Sequence, residues 1–127
     1  MSRIRSKNTK PEMLVRRILH GMGFRFRLHC PGLPGKPDLA LPKYRTVIFV
    51  HGCFWHRHKG CKNCTTPSSN RAFWLAKFKR NIRKDQASQR ESERLGWRIV
   101  IVWECETERP VDLEKRLSRL LKPKPLP

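Results

Sequence analysis

The chain has 127 residues, with 29 Lys and Arg against 10 Asp and Glu, so its formal net charge is +19. This length predicts one domain over residues 1–121, followed by a basic, proline-rich tail over residues 122–127. The sequence contains neither an apolar run long enough to span a membrane nor the apolar stretch of a secretory signal, so a cytoplasmic protein is expected. The excess of positive charge favours a polyanionic partner. Nucleic acid is favoured over a membrane surface because no basic amphipathic helix stands out.

The predicted elements follow the order α-β-β-β-α-β-α. Three helices are predicted, over Lys10–Gly21, Arg71–Leu95 and Val111–Leu121. Four strands are predicted, over Phe24–His29, Asp38–Leu41, Thr46–Val50 and Arg98–Trp103. The last strand is expected to be central and covered on both faces. The long helix is expected to bury an apolar stripe of Trp74, Leu75, Phe78 and Ile82. This order predicts an α/β fold, a mixed sheet flanked by helices.

Residues 51–70 lack apolar periodicity and are rich in cysteine and histidine. Without a secretory signal, disulfides are disfavoured, whereas structural zinc prefers four sulfur and nitrogen ligands. The spacing therefore predicts one structural Zn²⁺ that orders this loop. Five residues compete for the four ligand positions: Cys53, His58, Cys61, Cys64 and Cys105. The alternative is a set of small apolar cysteines with incidental surface histidines.

Three aromatic residues lie in or just after this cationic loop. Phe54 and Trp55 are adjacent, which suits stacking against nucleic acid bases or wedging between them. Trp74 opens the long helix, and taken alone it is better explained as a core aromatic.

The few acidic residues are informative because the chain is so basic. Asp38 opens a strand, where its carboxylate could share a Mg²⁺ ion with a substrate phosphate. On the Pro-Asp dipeptide alone, a turn-capping aspartate is the favoured interpretation. His51 and His56 follow the neighbouring strand, and histidine can act as a general base near neutral pH. Each of them could instead be a zinc ligand or a surface cation. Two other acids have simpler explanations. Glu12 fits a capping-box glutamate, and Asp85 fits a solvated charge on the long helix.

Four segments together resemble the very-short-patch-repair (Vsr) DNA mismatch endonucleases. They are Leu33-Pro-Gly-Lys-Pro-Asp38, Val47-Ile-Phe-Val-His-Gly-Cys-Phe-Trp-His56, Phe73-Trp-Leu and Leu95-Gly-Trp-Arg-Ile-Val-Ile-Val-Trp-Glu-Cys105. The resemblance extends from Ile4 to about Leu121. It implies a restriction-endonuclease-like (PD-(D/E)xK superfamily) core with a zinc-stabilised loop. It also implies Mg²⁺-dependent nicking of one DNA strand 5′ to the thymine of a T·G mismatch, of the kind left when 5-methylcytosine deaminates.

The resemblance implies a magnesium site at the start of the second strand. Asp38 matches the family's metal-binding aspartate, and the backbone carbonyl of Val50 matches a second protein ligand. Usual PD-(D/E)xK nucleases carry an acidic residue and a lysine on the second core strand. Here that strand ends in Val50-His51, as in the Vsr branch, so one carboxylate is expected to do most of the metal binding.

Other roles are implied by the same resemblance. His56 matches the histidine that acts on the attacking water, and Asp85 matches an acid that orients this histidine. Glu12 and His51 match two supporting residues of the family, which hold metal-bound water and phosphate. The structural zinc ligands match Cys53, His58, Cys61 and Cys105, which leaves Cys64 as a rival for the position of Cys105. The intercalating aromatics match Phe54, Trp55 and Trp74.

The expected partner is double-stranded DNA with a mismatch, together with downstream repair proteins. The protein is expected to be a monomer that associates with the nucleoid when bound to DNA. The chain begins close to where the family's basic N-terminal arm continues, so a short arm is expected. Two alternatives stay open. One is a nuclease of the same fold with restriction-type or other structure specificity, and the other is a non-catalytic zinc-dependent DNA-binding module.

Overall fold

The structure is a computed structural model that describes residues 9–121. The expected N-terminal arm and the predicted tail at 122–127 lie outside the described residues. The helices are α1 (Lys10–Gly21), α2 (Arg71–Arg94) and α3 (Pro110–Leu120). The strands are β1 (Arg27–Leu28), β2 (Leu39–Leu41), β3 (Thr46–His51) and β4 (Arg98–Trp103), and short 3₁₀ helices occupy Pro42–Tyr44 and Glu104–Glu108. None of the helices in residues 9–121 is both long enough and apolar enough to cross a membrane.

The four strands form one mixed sheet in the order β1-β2-β3-β4. The pairs β1–β2 and β2–β3 are antiparallel, and β3–β4 is parallel, with His51 opposite Trp103. Because β3 and β4 run in the same direction, the segments that follow them leave the sheet at the same edge. The histidine-rich loop after β3 and the 3₁₀ helix after β4 therefore meet there.

Helices cover both faces of the sheet, as predicted. On one face α1 and α3 pack against the strands, through a core of Val15, Leu19, Leu39, Leu41, Ile48, Val100, Val102, Leu113, Leu117 and Leu121. The opposite face carries Ala40, Val47 and Phe49. Helix α2 lies on this second side, since Gly35 is in close approach to both Ser88 of α2 and the Phe49 ring. The predicted α/β architecture is confirmed.

Helix α1 begins as its sequence predicts. The Thr9 hydroxyl accepts a hydrogen bond from the Glu12 N–H at 3.3 Å, which satisfies one of the free donors at the helix start. Val15 and Leu19 lie one turn apart and are fully buried, so they fix which side of α1 faces the sheet. Glu12, on the same side three residues before Val15, is carried inward with them and is 1% exposed.

Two strand predictions are corrected by the structure. The strand expected over Phe24–His29 is only Arg27–Leu28, and both residues are exposed. It is short because its partner β2 spans only three residues. Strand β4 was expected to be central, but it is an edge strand of the described sheet. Its apolar run reflects helices on both faces: Val100 and Val102 face the first core, and Ile99 and Ile101 pack against the second.

The apolar stripe predicted for α2 is also corrected. Only Phe78 is buried, whereas Leu75 and Ile82 are 41% and 37% exposed. Phe78 packs against the Phe54 ring from the histidine-rich loop, with 5.3 Å between ring centroids. The loop reaches along α2 as far as Asn81, whose amide donates to the Trp55 carbonyl. Loop aromatics therefore cover the first turns of α2 only.

Candidate active site and metal centre

A cleft of about 970 Å³ opens where β2 begins and β3 ends. Leu39 of β2 pairs with Ile48 of β3, so Asp38, just before β2, lies beside the end of β3. The Asp38 carboxylate Oδ2 accepts a hydrogen bond from the Val50 N–H at 2.7 Å. This contact joins Asp38 to the neighbouring strand, whereas a turn-capping aspartate would bond within its own turn. The cleft is also lined by the other residues of β3's end and the following loop, His51, Phe54, Trp55 and His56, and by Asp85 of α2.

The Asp38 carboxylate is in an environment that disfavours its ionised form. Burial raises its pKa from 3.8 to about 6, against the lowering effect of the Val50 N–H. The negative charge of Glu12 raises the pKa further, while His29 and His56 lower it. A divalent cation would stabilise the ionised form, and carboxylate oxygen is the donor that Mg²⁺ prefers. The donor chemistry at Asp38 therefore fits the predicted ion.

His56 and Asp85 form a hydrogen-bonded pair across the cleft. The distance from His56 Nδ1 to Asp85 Oδ2 is 2.7 Å, and both side chains are partly exposed. The His56 ring stacks on His51, with 3.8 Å between ring centroids and 6° between the planes. Burial, followed by the proximity of His56, lowers the pKa of His51 to about 4, so His51 is neutral at neutral pH. Ligand atoms of His51, His56 and Asp85 lie within 4.8 Å of one another, close enough to share a metal ion.

Glu12 reaches the cleft through a histidine that the sequence interpretation missed. Its carboxylate contacts the Arg16 guanidinium one turn along α1, and its Oε2 lies 2.7 Å from His29 Nε2. His29 lines the cleft, and its N–H donates to the Asp38 carbonyl at 3.0 Å. No spacing motif marks His29. The register of β1 against β2 would have revealed it, since His29 follows Leu28, the partner of Leu39.

A second group lies beside this cleft, where the loop after β3 meets the segment after β4. Cys53, His58, Cys61 and Cys105 place four ligand atoms within 4.8 Å of one another. His58 Nδ1 lies 3.4 Å from Cys105 Sγ and 3.7 Å from Cys53 Sγ. Three sulfurs and one imidazole nitrogen form a donor set suited to structural Zn²⁺. Of the five competitors, Cys64 lies outside the group.

The local environment stabilises this arrangement of ligands. The His58 ring stacks on Trp103 at 4.2 Å between centroids, which fixes its orientation. The Cys53 N–H donates to Glu104 Oε1 at 3.3 Å, linking the loop to the 3₁₀ helix after β4. Burial raises the pKa of the Cys53 thiol to about 12. A metal bound here would therefore have to displace a proton from Cys53, since the thiolate is the ligand form.

The predicted DNA-contacting aromatics form one cluster at the mouth of the cleft. Phe54 contacts Trp55, Trp74 and Phe78 edge-on, with ring centroids 5.0, 5.7 and 5.3 Å apart. The Lys77 ammonium lies 5.2 Å from the centre of the Trp55 ring. Of the three predicted residues, Phe54 and Trp55 line the cleft, and Trp74 packs behind them against Phe78.

Comparison with known proteins identifies the family. A family profile described as DNA mismatch endonuclease Vsr matches residues 1–63. The type II nicking enzyme V.XorIIP of Xanthomonas oryzae pv. oryzae is 46% identical over 123 residues, covering 97% of this chain and 90% of the relative. V.NmeAIP of Neisseria meningitidis serogroup A, also a type II nicking enzyme, is 44% identical over 96% of this chain and 86% of its own length. The DNA mismatch endonuclease Vsr of Escherichia coli K12 is 41% identical over 83% of this chain and 67% of its own length. The chain therefore belongs to the Vsr family of DNA mismatch endonucleases.

Proposed function

We propose that this protein nicks one strand of duplex DNA 5′ to the thymine of a T·G mismatch and thereby begins repair of deaminated 5-methylcytosine. One juxtaposition carries the proposal. A buried carboxylate (Asp38), a histidine–carboxylate pair (His56 and Asp85) and two adjacent aromatic rings (Phe54 and Trp55) line the same cleft. Family membership makes a phosphodiester of DNA the substrate of this cleft.

We place a catalytic Mg²⁺ ion at Asp38, with the backbone carbonyl of Val50 as its second protein ligand. The support is the donor chemistry: a carboxylate with a raised pKa, lying between strands and next to the negative charge of Glu12. When bound there, Mg²⁺ would stabilise negative charge on the phosphate oxygens. The hydrogen bond from the Val50 N–H holds the Asp38 carboxylate in place at 2.7 Å.

His56 takes the proton from the attacking water. When its Nδ1–H donates to Asp85, its Nε2 carries the lone pair that accepts this proton. Asp85 fixes this tautomer and stabilises the imidazolium that forms, so it is a positioning residue. His51 supports the ring by stacking on it and, being neutral, adds no charge at neutral pH. Glu12 supports the opposite side of the cleft through His29.

The loop that carries Phe54, Trp55 and His56 would be held by Zn²⁺ bound to Cys53, His58, Cys61 and Cys105. All four positions come from protein side chains, which is typical of a structural site. Because the first ligand immediately precedes Phe54, the position of the aromatic rings depends directly on this site. The metal would therefore order the loop and take no part in hydrolysis.

Phe54 and Trp55 supply the preference for a mismatch. A T·G mismatch stacks less stably than a matched pair, so inserting an aromatic ring beside it costs less. The side chains of Lys77 and Arg57 lie against the same aromatic cluster, where their charge also attracts the DNA backbone. Trp74 contacts the rings of both Phe54 and Trp55, with ring centroids 5.7 Å apart in each case.

A nicking enzyme of the same fold with another specificity is the second candidate. Two relatives that cover most of this chain are named type II nicking enzymes, which favours this alternative over a non-catalytic module. The His56–Asp85 pair beside Asp38 also opposes a purely binding role, because binding alone requires no general base.

The position and metal dependence of the cut test the proposal. A duplex with one T·G pair, labelled separately on each strand, is incubated with the protein in Mg²⁺ or in EDTA. We expect one product, ending 5′ to the thymine and absent in EDTA, and no product with Asp38→Asn. A cut in the guanine strand, or double-strand cleavage, would favour the second candidate. Binding without any cut would support the non-catalytic module.

A further inference from the structure

His29 connects three elements at the cleft. It follows β1, and its N–H donates to the Asp38 carbonyl at 3.0 Å, so its backbone continues the pairing between β1 and β2. Its ring reaches α1, where Nε2 lies 2.7 Å from Glu12 Oε2. The ring is 24% exposed, and His29 lines the cleft. One residue thus ties α1 to the segment that contains Asp38 and leads into β2.

The backbone of His29 is in an unfavourable conformation. Its φ is +46°, in the left-handed region that residues with a side chain rarely adopt. Strain of this kind persists only where surrounding contacts impose it, and it is concentrated at functional sites. The contact is not required merely to balance the charge of Glu12, since Arg16, one turn along the same helix, already pairs with that carboxylate.

The arrangement repeats on the other side of the sheet. His56 joins the loop after β3 to Asp85 of α2, also at 2.7 Å. His29 joins the end of β1 to Glu12 of α1. Each of the two helices is therefore tied to the cleft by one histidine–carboxylate pair, and members of both pairs act electrostatically on Asp38. The charges act on Asp38 in opposite directions: Glu12 raises its pKa and His29 lowers it.

We propose that His29 is a positioning residue of the nicking reaction, which holds the Glu12 carboxylate and the first turn of α1 in place beside Asp38. This inference rests on the proposed function. Thr9 and Pro11, at the start of α1, line the same cleft, so this turn borders the space for the DNA strand. Loss of the contact should lower the nicking rate of the enzyme–DNA complex more than it weakens DNA binding. The reason is that His29 acts through Glu12 on the geometry at Asp38.

The test compares variants that separate the backbone from the side chain. His29→Gly removes the ring and suits the left-handed backbone, so the fold should be retained. Nicking is measured in single turnover with enzyme in excess over a T·G duplex, and DNA binding is measured separately. We expect H29G to lower the nicking rate about tenfold or more, with affinity within about threefold of the wild type. His29→Gln supplies an amide donor and should recover most of the rate.

The matched control is Asn70→Gly. Asn70 has a similar φ of +55°, is exposed, makes no side-chain cap and is not among the residues that line the cleft. It should nick like the wild type. If thermal unfolding shows that H29G is not folded, His29→Asn takes its place. Asn tolerates this backbone conformation, but its side chain is too short to replace the imidazole ring.

Glu12→Gln shows whether His29 acts through Glu12. The double variant H29G/E12Q should nick at the rate of E12Q alone, since both changes break the same contact. The inference is overturned if H29G loses less than about fivefold in rate, if H29Q recovers no activity, or if the two losses multiply in full. Absence of nicking by the wild-type protein would refute the proposed function and this inference with it. Wild-type nicking with an unaffected H29G would refute this inference alone.

Discussion

Asp38 is stabilised in its protonated form by the fold, although metal binding requires the ionised form. Its pKa rises from 3.8 to about 6, so folding favours the neutral acid, and stability declines as pH rises between these values. Two pKa units correspond to about 3 kcal/mol in the metal-free protein. The cost is nearly complete at pH 7, and it falls below about 1 kcal/mol at pH 4.

Asp38→Asn should therefore stabilise the metal-free protein while it abolishes nicking. At pH 7 we expect a free energy of unfolding higher by about 1–3 kcal/mol, because the amide avoids burial of a charge. At pH 4 the difference should fall below about 1 kcal/mol, since Asp38 is then protonated in the folded state and close to half protonated in the unfolded state. Urea unfolding in EDTA at the two pH values measures this. A variant less stable than the wild type at pH 7 would contradict the assigned cause of the pKa shift.

His56→Ala should preserve DNA binding but remove the proton acceptor. Loss of a general base typically lowers a rate about 10²–10⁴-fold, and hydroxide can partly replace it, so the residual rate should rise with pH. The measurement is single-turnover nicking of T·G DNA between pH 6 and 9. His20→Ala is the control, since His20 is exposed in the last turn of α1. Residual nicking that does not change with pH would oppose the assignment of His56 as the base.

At the scale of single elements, we expect the loop after β3 to depend on metal binding by Cys53, His58, Cys61 and Cys105 for its order. Cys61 and Cys64 lie three residues apart in this loop and are both half-buried, yet only Cys61 belongs to the four-residue group. Cys61→Ser should lose most of the bound metal and lower the unfolding temperature, whereas Cys64→Ser should keep about one zinc per chain. Elemental analysis and thermal unfolding measure both effects. Equal metal loss in the two variants would show that the group is wrongly assigned.

The aromatic rings at the cleft mouth are proposed to contribute to mismatch preference rather than to hydrolysis. Trp55→Ala should reduce the preference for T·G over matched DNA by about fivefold or more, since stacking on a base contributes about 1–3 kcal/mol. Val111→Ala, on the exposed surface of α3, is the control. The ratio of nicking rates on T·G and T·A duplexes measures the effect. An unchanged ratio for the Trp55 variant would mean that its ring serves only the packing of the loop.

Elements with strong local patterns could be predicted from the sequence. The spacing of Val15 and Leu19 located α1, and the apolar runs located β3 and β4 within a residue or two. The edge position of β4 could not be predicted this way, because its apolar side chains are buried by helices rather than by neighbouring strands. The exposure of Ile82 likewise depends on how far an irregular loop extends along α2.

The candidate site was predictable only in part for a similar reason. Ligand spacing favoured a metal loop but left Cys64 and Cys105 as rivals, because Cys105 approaches through the parallel pairing of β3 and β4. The resemblance to the Vsr family separated them, and the structure groups the same four residues. Neither the residue spacing nor the family resemblance indicated His29, because its position next to Glu12 depends on hairpin register and on the packing of α1.

At the scale of the whole molecule, a net charge of +19 provides affinity for any DNA. Contacts between basic side chains and phosphates do not depend on sequence, and they weaken steeply as salt concentration rises. DNA binding therefore cannot distinguish a mismatch endonuclease from another nuclease of this fold. The distinction must come from the nicking step, where we propose that the aromatic rings and the Asp38–His56 cleft act together.

The most direct measurement is the single-turnover nicking rate on three duplexes that differ at one position, T·G, T·A and C·G, in Mg²⁺ at fixed salt. We predict nicking 5′ to the thymine of T·G at least about thirtyfold faster than any cut in the two matched duplexes, because each of the two aromatic rings should contribute about 1–3 kcal/mol. Equal rates on all three duplexes would contradict the central claim that this cleft recognises a mismatch.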